Sequence, residues 1–199
     1  MGRKGNASRA RILDKGSELI HHGGFAQTSF ADLADALGMT KGHFYYYYRS
    51  KDDLLRDIVA ARSERISAML TEWSGAEPDP QARILRFIDM VAGQAEMLRE
   101  HGCPMGSLSG ELSKGDAHLQ SEGRAMFDLF IHWLAEQFAT RFDAQTARAH
   151  AEHLMIRAQG ASLLAHVYGD ADKVAQECAR MRAWLNEMWK GSDKSAEKN

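Results

Sequence analysis

Residues 28–58 read TSFADLADALGMTKGHFYYYYRSKDDLLRDI. Ser29 can cap a helix, and Asp32, three residues on, completes a capping box. Leu33 and Leu37 then share one face, with Ala34 and Ala36 permitting close approach. Gly38 follows the last apolar residue, where a left-handed C-cap suits glycine. Met39 is placed to plug the turn. Thr40 can cap a second helix that opens with Lys41, Gly42 and His43, and Ser50 with Asp53 restarts a third by the same logic. Two short helices, a tight turn and a docking helix follow one another in the order of a helix-turn-helix.

In such a unit the second helix enters the major groove and its first turn meets base edges. Thr40, Lys41 and His43 all donate hydrogen bonds, and Lys41 suits guanine O6 and N7. Gly42 lacks a side chain, so backbone can approach DNA closely. Tyr45, Tyr46 and Tyr47 offer hydroxyls for phosphates, and Thr28, Ser29 and Lys51 are further phosphate donors. Phe44 and Tyr48, four apart on one face, read as core.

The segment resembles the N-terminal domain of TetR/AcrR-family transcriptional regulators. The resemblance rests on Gly24-Phe25, Thr28-Ser29, Leu37 to Gly42, Phe44 to Tyr47, Ser50-Lys51 and Leu54-Leu55. One departure is Tyr48, where the family usually has phenylalanine; its ring fills the same place if the hydroxyl finds a partner. The motif spans about a quarter of the chain. It implies an all-α protein, with an N-terminal three-helix DNA-binding domain and a C-terminal helical domain for ligand binding and dimerisation. It also implies a homodimer on double-stranded operator DNA, repression as the default, and release by a small-molecule or electrophilic effector.

Composition agrees with a helical chain. Of 199 residues, 44% are apolar and 26% charged, with only three prolines. Alanine, leucine, methionine, glutamate and arginine dominate after residue 50. The absence of a long apolar run and of a signal peptide points to a cytoplasmic protein with no membrane partner. The net charge of −2 divides into +3 over residues 1–62 and −5 beyond, which fits a basic head on an acidic body. Arg3, Lys4, Arg9 and Arg11 form a basic N-terminal stretch, either an arm able to touch phosphates or a minor groove, or a disordered basic tail. Cys103 and Cys178 form no CxxC pair, so neither a zinc site nor a disulfide framework is expected, and no cofactor.

Helical spacing predicts a first helix over 7–22, with Phe25 packing into the head after Gly23-Gly24. It predicts a fourth helix over 51–73 and a break at 74–80. Asp79 and Pro80 then open a helix that stops near Gly102, and a short irregular helix covers 105–112. Long helices follow over 117–138, from Asp143 to about Tyr168, and from Asp170 to about Trp189. The expected domains are 1–50 for DNA binding, 51–190 for effector binding and dimerisation, and a disordered polar tail over 191–199, with the fourth helix linking the two.

The last two long helices read as a dimer interface. The first presents a stripe of small residues that includes Ala151, Ala158 and Ser162, with Leu154 and Met155 between; the second presents Val174, Cys178, Met181, Trp184 and Leu185. The alternative is that both pack inside one monomer. Trp73, Phe87, Met126, Phe127, Phe130 and Trp133 are candidates to line an adaptable effector pocket, with ordinary core as the alternative. The run from His101 through Cys103-Pro104 to Leu108 is similar to a segment in a subset of TetR-like regulators, some of which answer electrophiles or oxidants through a cysteine here. A helix N-terminus and His101 beside Cys103 would favour its thiolate; a small buried thiol is the other reading. An enzyme is not expected: there is no HExxH, P-loop or dinucleotide fingerprint, and Gly106-Ser107-Leu108-Ser109-Gly110 has leucine where a nucleophile elbow needs serine. The alternative classes are a helical interaction module with vestigial DNA binding and a thiol-dependent enzyme.

Overall fold

The computed structural model describes residues 3–24, 27–112 and 117–196, and among them every regular element is an α-helix. In chain order these are α1 (Arg3–Gly23), α2 (Phe30–Ala36), α3 (Lys41–Tyr47), α4 (Lys51–Ala76) and α5 (Pro80–Gly93). There follow α6 (Ala95–His101), α7 (Pro104–Leu112), α8 (Ala117–Phe138), α9 (Ala144–Tyr168) and α10 (Asp172–Ala196). The chain forms two compact units. The first holds Met1–Arg65 and Pro104–Met126; the second holds Ile66–Cys103 and Phe127–Asn199. Helices α4 and α8 each give residues to both.

The first unit is built on the buried faces of short helices. Ile12 and Ile20 of α1, Leu33 of α2, Phe44 of α3, Leu54, Leu55 and Ile58 of α4, and Leu108 and Leu112 of α7 are all buried. At Gly16 α1 and α4 lie close together, since a β-carbon there would stand 3.2 Å from Ile58 Cδ1. The unit therefore takes in residues 51–65 and α7 as well as the expected 1–50. The reason is the apolar start of α4, which has to be covered by α1. Helix α1 begins at Arg3, so the basic stretch is helical from there on, not an extended arm. Phe25 lies outside the described residues.

In the second unit α9 packs on α6 and α10, and α10 on α5. Ala147, Ala151, Ala158, Ala161 and Ala165 are buried along α9, where their small side chains let neighbouring helices approach. Asp143 caps α9 by accepting from the backbone of Gln145 and Thr146, each at 3.0 Å. Its carboxyl is held below the usual carboxylate range, first by the Thr146 hydroxyl and then by that backbone. Gly169 ends α9 with a φ of 63°, a left-handed C-cap.

Three further helix bounds differ from expectation. The helix opened by Asp79 and Pro80 ends at Gly93, and after Gln94 a separate α6 runs to His101. Glycine is a poor helix former, which makes this the point where the chain redirects to bury Leu98. Helix α4 goes on past Trp73 to Ala76. Helix α10 continues past Trp189 to Ala196, into the segment expected to be disordered. No proline stops it, and Gly191 alone costs only about 1 kcal/mol in a helix interior. Residues 197–199 lie outside the described ones.

Candidate nucleic-acid interface

The α2–turn–α3 geometry follows from caps that the sequence states locally. Ser29 Oγ accepts from the Asp32 amide at 3.2 Å, and Asp32 Oδ2 accepts from the Ser29 amide at 2.8 Å. Those bonds, the Ser29 side chain first and its backbone next, hold the Asp32 carboxyl below the usual range. Gly38 takes φ 64°, and Met39 N–H returns to the Ala34 carbonyl at 2.8 Å to close the turn. Thr40 then caps α3, its Oγ1 accepting from the His43 amide at 3.3 Å. Ser50 Oγ accepts from the Asp53 amide at 3.1 Å to start α4.

Helix α3 has two faces of opposite character. Phe44 is fully buried and stacks on Phe30 with ring centres 4.8 Å apart. Tyr48, just past its end, is 2% exposed. On the other side Lys41, Gly42, His43, Tyr45 and Tyr46 are exposed, Tyr46 at 73%. Tyr46 and Tyr47 meet edge to face at 5.4 Å, and His43 packs on Tyr47 at 5.5 Å. These ring contacts already restrict the side chains, so less rotamer entropy remains to be lost on binding. A β-carbon at Gly42 would meet nothing within 4 Å. Nothing among the described residues crowds that position.

Ser29, Thr40, Lys41, Gly42, His43, Tyr45, Tyr46, Tyr47 and Lys51 all lie at least partly open to solvent. Thr28 does not. It is 6% exposed and its hydroxyl donates to the Gly24 carbonyl at 2.8 Å. Its side chain secures the end of α1 after Gly24, whose φ of 82° turns the chain, and is not available to a phosphate. Three residues that sequence reasoning did not connect meet at the end of α3. Tyr48 hydroxyl donates to Asp57 Oδ2 at 2.7 Å, and Arg9 Nε donates to the same oxygen at 3.0 Å.

The other expected sites fare differently. Trp73 lies edge to face on Trp133 at 5.7 Å, and Phe87 packs on Phe130 at 5.7 Å, both pairs in the second unit. Met126 is buried and belongs to the first unit, and Phe127 is half-buried. Cys103 is half-buried between Gly102, at φ 71°, and Pro104, the first residue of α7. His101 ends α6 with Nε2 3.7 Å from Glu100 Oε2.

The expected dimer stripe is a correction. Ala151, Leu154, Met155, Ala158, Ser162, Val174, Cys178, Met181 and Leu185 are buried within the single chain, and Trp184 is half-buried against His153 at 4.7 Å. Burial raises the Cys178 thiol above its ordinary value. These residues hold α9 and α10 together, and all but Trp184 leave almost no surface for a second copy. Sequence reasoning missed the opposite side of α9, where Ile156, Leu163, Leu164, Val167 and Tyr168 are exposed. Their spacing of three and four was legible as a second apolar row.

Comparison with known proteins matches the site. Residues 12–58 fit the family model described as bacterial regulatory proteins, tetR family. An uncharacterized HTH-type transcriptional regulator in the lacX 3'region of Lactococcus lactis subsp. lactis is 25% identical over 167 residues, 82% of this chain and 85% of that protein. The HTH-type transcriptional repressor NemR of Escherichia coli (strain K12) is 28% identical over 125 residues, 61% of this chain and 60% of its own. A TetR-family transcriptional regulator from Agrobacterium tumefaciens, solved by crystallography, superposes with a TM-score of 0.78 at 26% identity, over 89% of this chain and 97% of that one. The capped helix-turn-helix, open to solvent on its outer face, thus matches the tetR family of bacterial regulatory proteins, and the chain as a whole is similar to TetR-family transcriptional regulators.

Proposed function

We propose that the protein is a homodimeric repressor that sets α3 into the major groove of a palindromic operator and leaves it when an effector binds. The observation that carries the DNA-facing role is Gly42: solvent-open, unconstrained from within, and flanked by Lys41 and Tyr45. Lys41 and His43 are the base-edge donors; Ser29, Thr40, Tyr45, Tyr46, Tyr47 and Lys51 are phosphate donors. Repression is favoured by the likeness to NemR, whose name describes a transcriptional repressor.

The exposed row on α9 supports dimerisation. Ile156 is 70% and Tyr168 69% exposed, and exposed apolar residues gathered on one helix face mark interaction surfaces. A groove of about 430 Å³ beside it is lined by Gly160, Ala161 and Leu164 and by Arg157, Lys173, Gln176, Glu177 and Arg180. Apolar and charged groups side by side are common in protein interfaces. A dimer then presents two copies of α3, suited to half-sites one helical turn apart.

The effector is a small apolar molecule received among the aromatic pairs of the second unit, or an electrophile that modifies Cys103. An effector that binds the DNA-incompetent state ~100-fold better shifts the balance by about 2.7 kcal/mol. No described helix is long and apolar enough to cross a membrane; the cytoplasm, where operator DNA lies, is the proposed location. Selection from a random duplex library at about 0.15 M salt tests the reading. Recovery of an inverted repeat that a Tyr47→Ala, Lys51→Ala double variant fails to recover supports it. No enrichment by a folded dimer would sink it.

A further inference from the structure

Tyr48 closes the helix-turn-helix with a buried ring whose hydroxyl is fully engaged. The ring is buried and packs on Phe44 at 6.2 Å, as a phenylalanine would. The hydroxyl donates to Asp57 Oδ2 at 2.7 Å and accepts from Arg9 Nε at 3.3 Å. Arg9 also pairs directly with Asp57. One carboxylate oxygen thus joins α1, the residue that ends α3, and the second turn of α4. Burial first, then the bond to Asp57, raises the Tyr48 hydroxyl well above its ordinary value, so it stays a donor at any physiological pH. Hydrogen bonds to Asp57 and Tyr48 likewise keep Arg9 charged.

This arrangement bears on binding because α3 is held at few points. It has seven residues, and Phe44 is its only fully buried side chain. Tyr48 N–H bonds the Phe44 carbonyl at 3.2 Å, so whatever fixes Tyr48 also fixes the last turn of α3, where Tyr45, Tyr46 and Tyr47 stand. We propose that Tyr48 is a positioning residue for DNA recognition: its hydroxyl, held by Asp57 of α4 and Arg9 of α1, sets the pose in which α3 meets the duplex. The inference rests on the DNA-facing reading of α3. A hydrogen bond has a narrow range of length and angle, so the hydroxyl makes that pose stricter than ring packing alone would.

The test uses the full-length Tyr48→Phe protein, which keeps the ring and removes one oxygen, beside Asp57→Asn and the double variant. Binding to a selected operator duplex is measured over a range of salt, and amide hydrogen exchange is followed across residues 41–48. The expected result is a five- to tenfold loss of affinity well below the melting temperature, with the salt slope unchanged because no phosphate contact is lost. Exchange should quicken in α3 and not in the second unit. The double variant should be no weaker than the weaker single, since both act through one bond. Affinity within twofold of the parent together with unchanged exchange in α3 would overturn the proposal. So would a lower melting temperature with unaltered affinity, the mark of a purely structural bond. If the parent protein binds no duplex at all, the DNA reading fails by itself, and exchange in α3 alone decides whether the hydroxyl holds the helix.

Discussion

The Trp133 indole Nε1 donates to Ser74 Oγ at 2.8 Å, and that hydroxyl donates in turn to the Leu70 carbonyl at 2.9 Å. The last turn of α4 is thereby tied to α8 within the second unit. Arg83 of α5 adds to the tie: its guanidinium reaches the Ser74 carbonyl at 2.7 Å, the Glu77 carbonyl at 2.6 Å and Gln137 Oε1 at 3.0 Å. A cation placed on the final carbonyls of a helix satisfies groups that have no partner inside the helix and complements its dipole.

Arg83→Met should therefore destabilise the protein more than an ordinary surface change. Two carbonyls and the buried Gln137 lose their partner, at about 2–3 kcal/mol in total. For a chain of this size that lowers the melting temperature by roughly 5–10 °C in a thermal scan. A shift below 2 °C would show that water replaces the guanidinium at no cost.

Gly42→Ala separates stability from recognition. The added methyl meets open space inside the protein, and alanine favours a helix over glycine by up to about 1 kcal/mol, so melting should be unchanged or slightly higher. Operator affinity should nevertheless fall roughly tenfold or more, the scale of one lost base contact. Undiminished binding in a gel-shift titration would mean that the backbone of α3 does not approach the duplex at this point.

Leu163→Glu and Ala158→Leu should fail in different ways. Leu163 is 61% exposed, so the charge is harmless to the lone chain but disrupts an apolar interface; sedimentation should show a folded monomer with weak operator binding. Ala158 is 3% exposed in the interior, and a larger side chain there should cost about 1–3 kcal/mol and reduce folding itself. A dimeric Leu163→Glu protein would move the interface elsewhere.

Acidification from about pH 7 to pH 5 should lower stability through His150 and His153. Burial depresses both below the ordinary 6.5, helped for His150 by neighbouring His153 and for His153 by Arg157; Asp143 and Glu177, respectively, oppose it. The unfolded chain takes up these protons first, so their contribution is whole above 6.5 and is lost as pH falls towards the folded values. The depressed carboxyls of Asp32, Asp143 and Glu177 act lower, below the ordinary carboxylate range. His150→Phe, which keeps a ring among Phe138, Phe142 and Trp184, should flatten denaturant midpoints between pH 5 and 7. An equal slope in parent and variant would remove His150 from the account.

What the sequence disclosed was governed by distance along the chain. Ser29 with Asp32, Gly38, Thr40 with His43, and Ser50 with Asp53 are all bonded within three residues of each other or bend the chain locally, and all four features were readable. The split of Phe44 and Tyr48 from Tyr45 and Tyr46 followed from helical spacing alone. Thr28 was misjudged because its hydroxyl is taken up by the end of α1, a tertiary matter. Tyr48 needed Arg9, 39 positions away. On α9 both apolar rows were visible, but no local rule says which row turns inward. The row rich in alanine does, because its small side chains let α6 and α10 pack closely on α9, and the expected interface went inside with it.

That division of α9 has an evolutionary corollary. Alanines at 151, 158 and 165 specify the monomer, while Ile156, Leu163 and Val167 stand on the opposite side and constrain nothing within it. Mutations can accumulate in the outer row while the inner row keeps the chain foldable. A duplicated copy of such a gene can therefore acquire a private partner surface in a few substitutions, each passing through a foldable intermediate. Regulators built this way can diversify within one genome and still avoid mixed pairs.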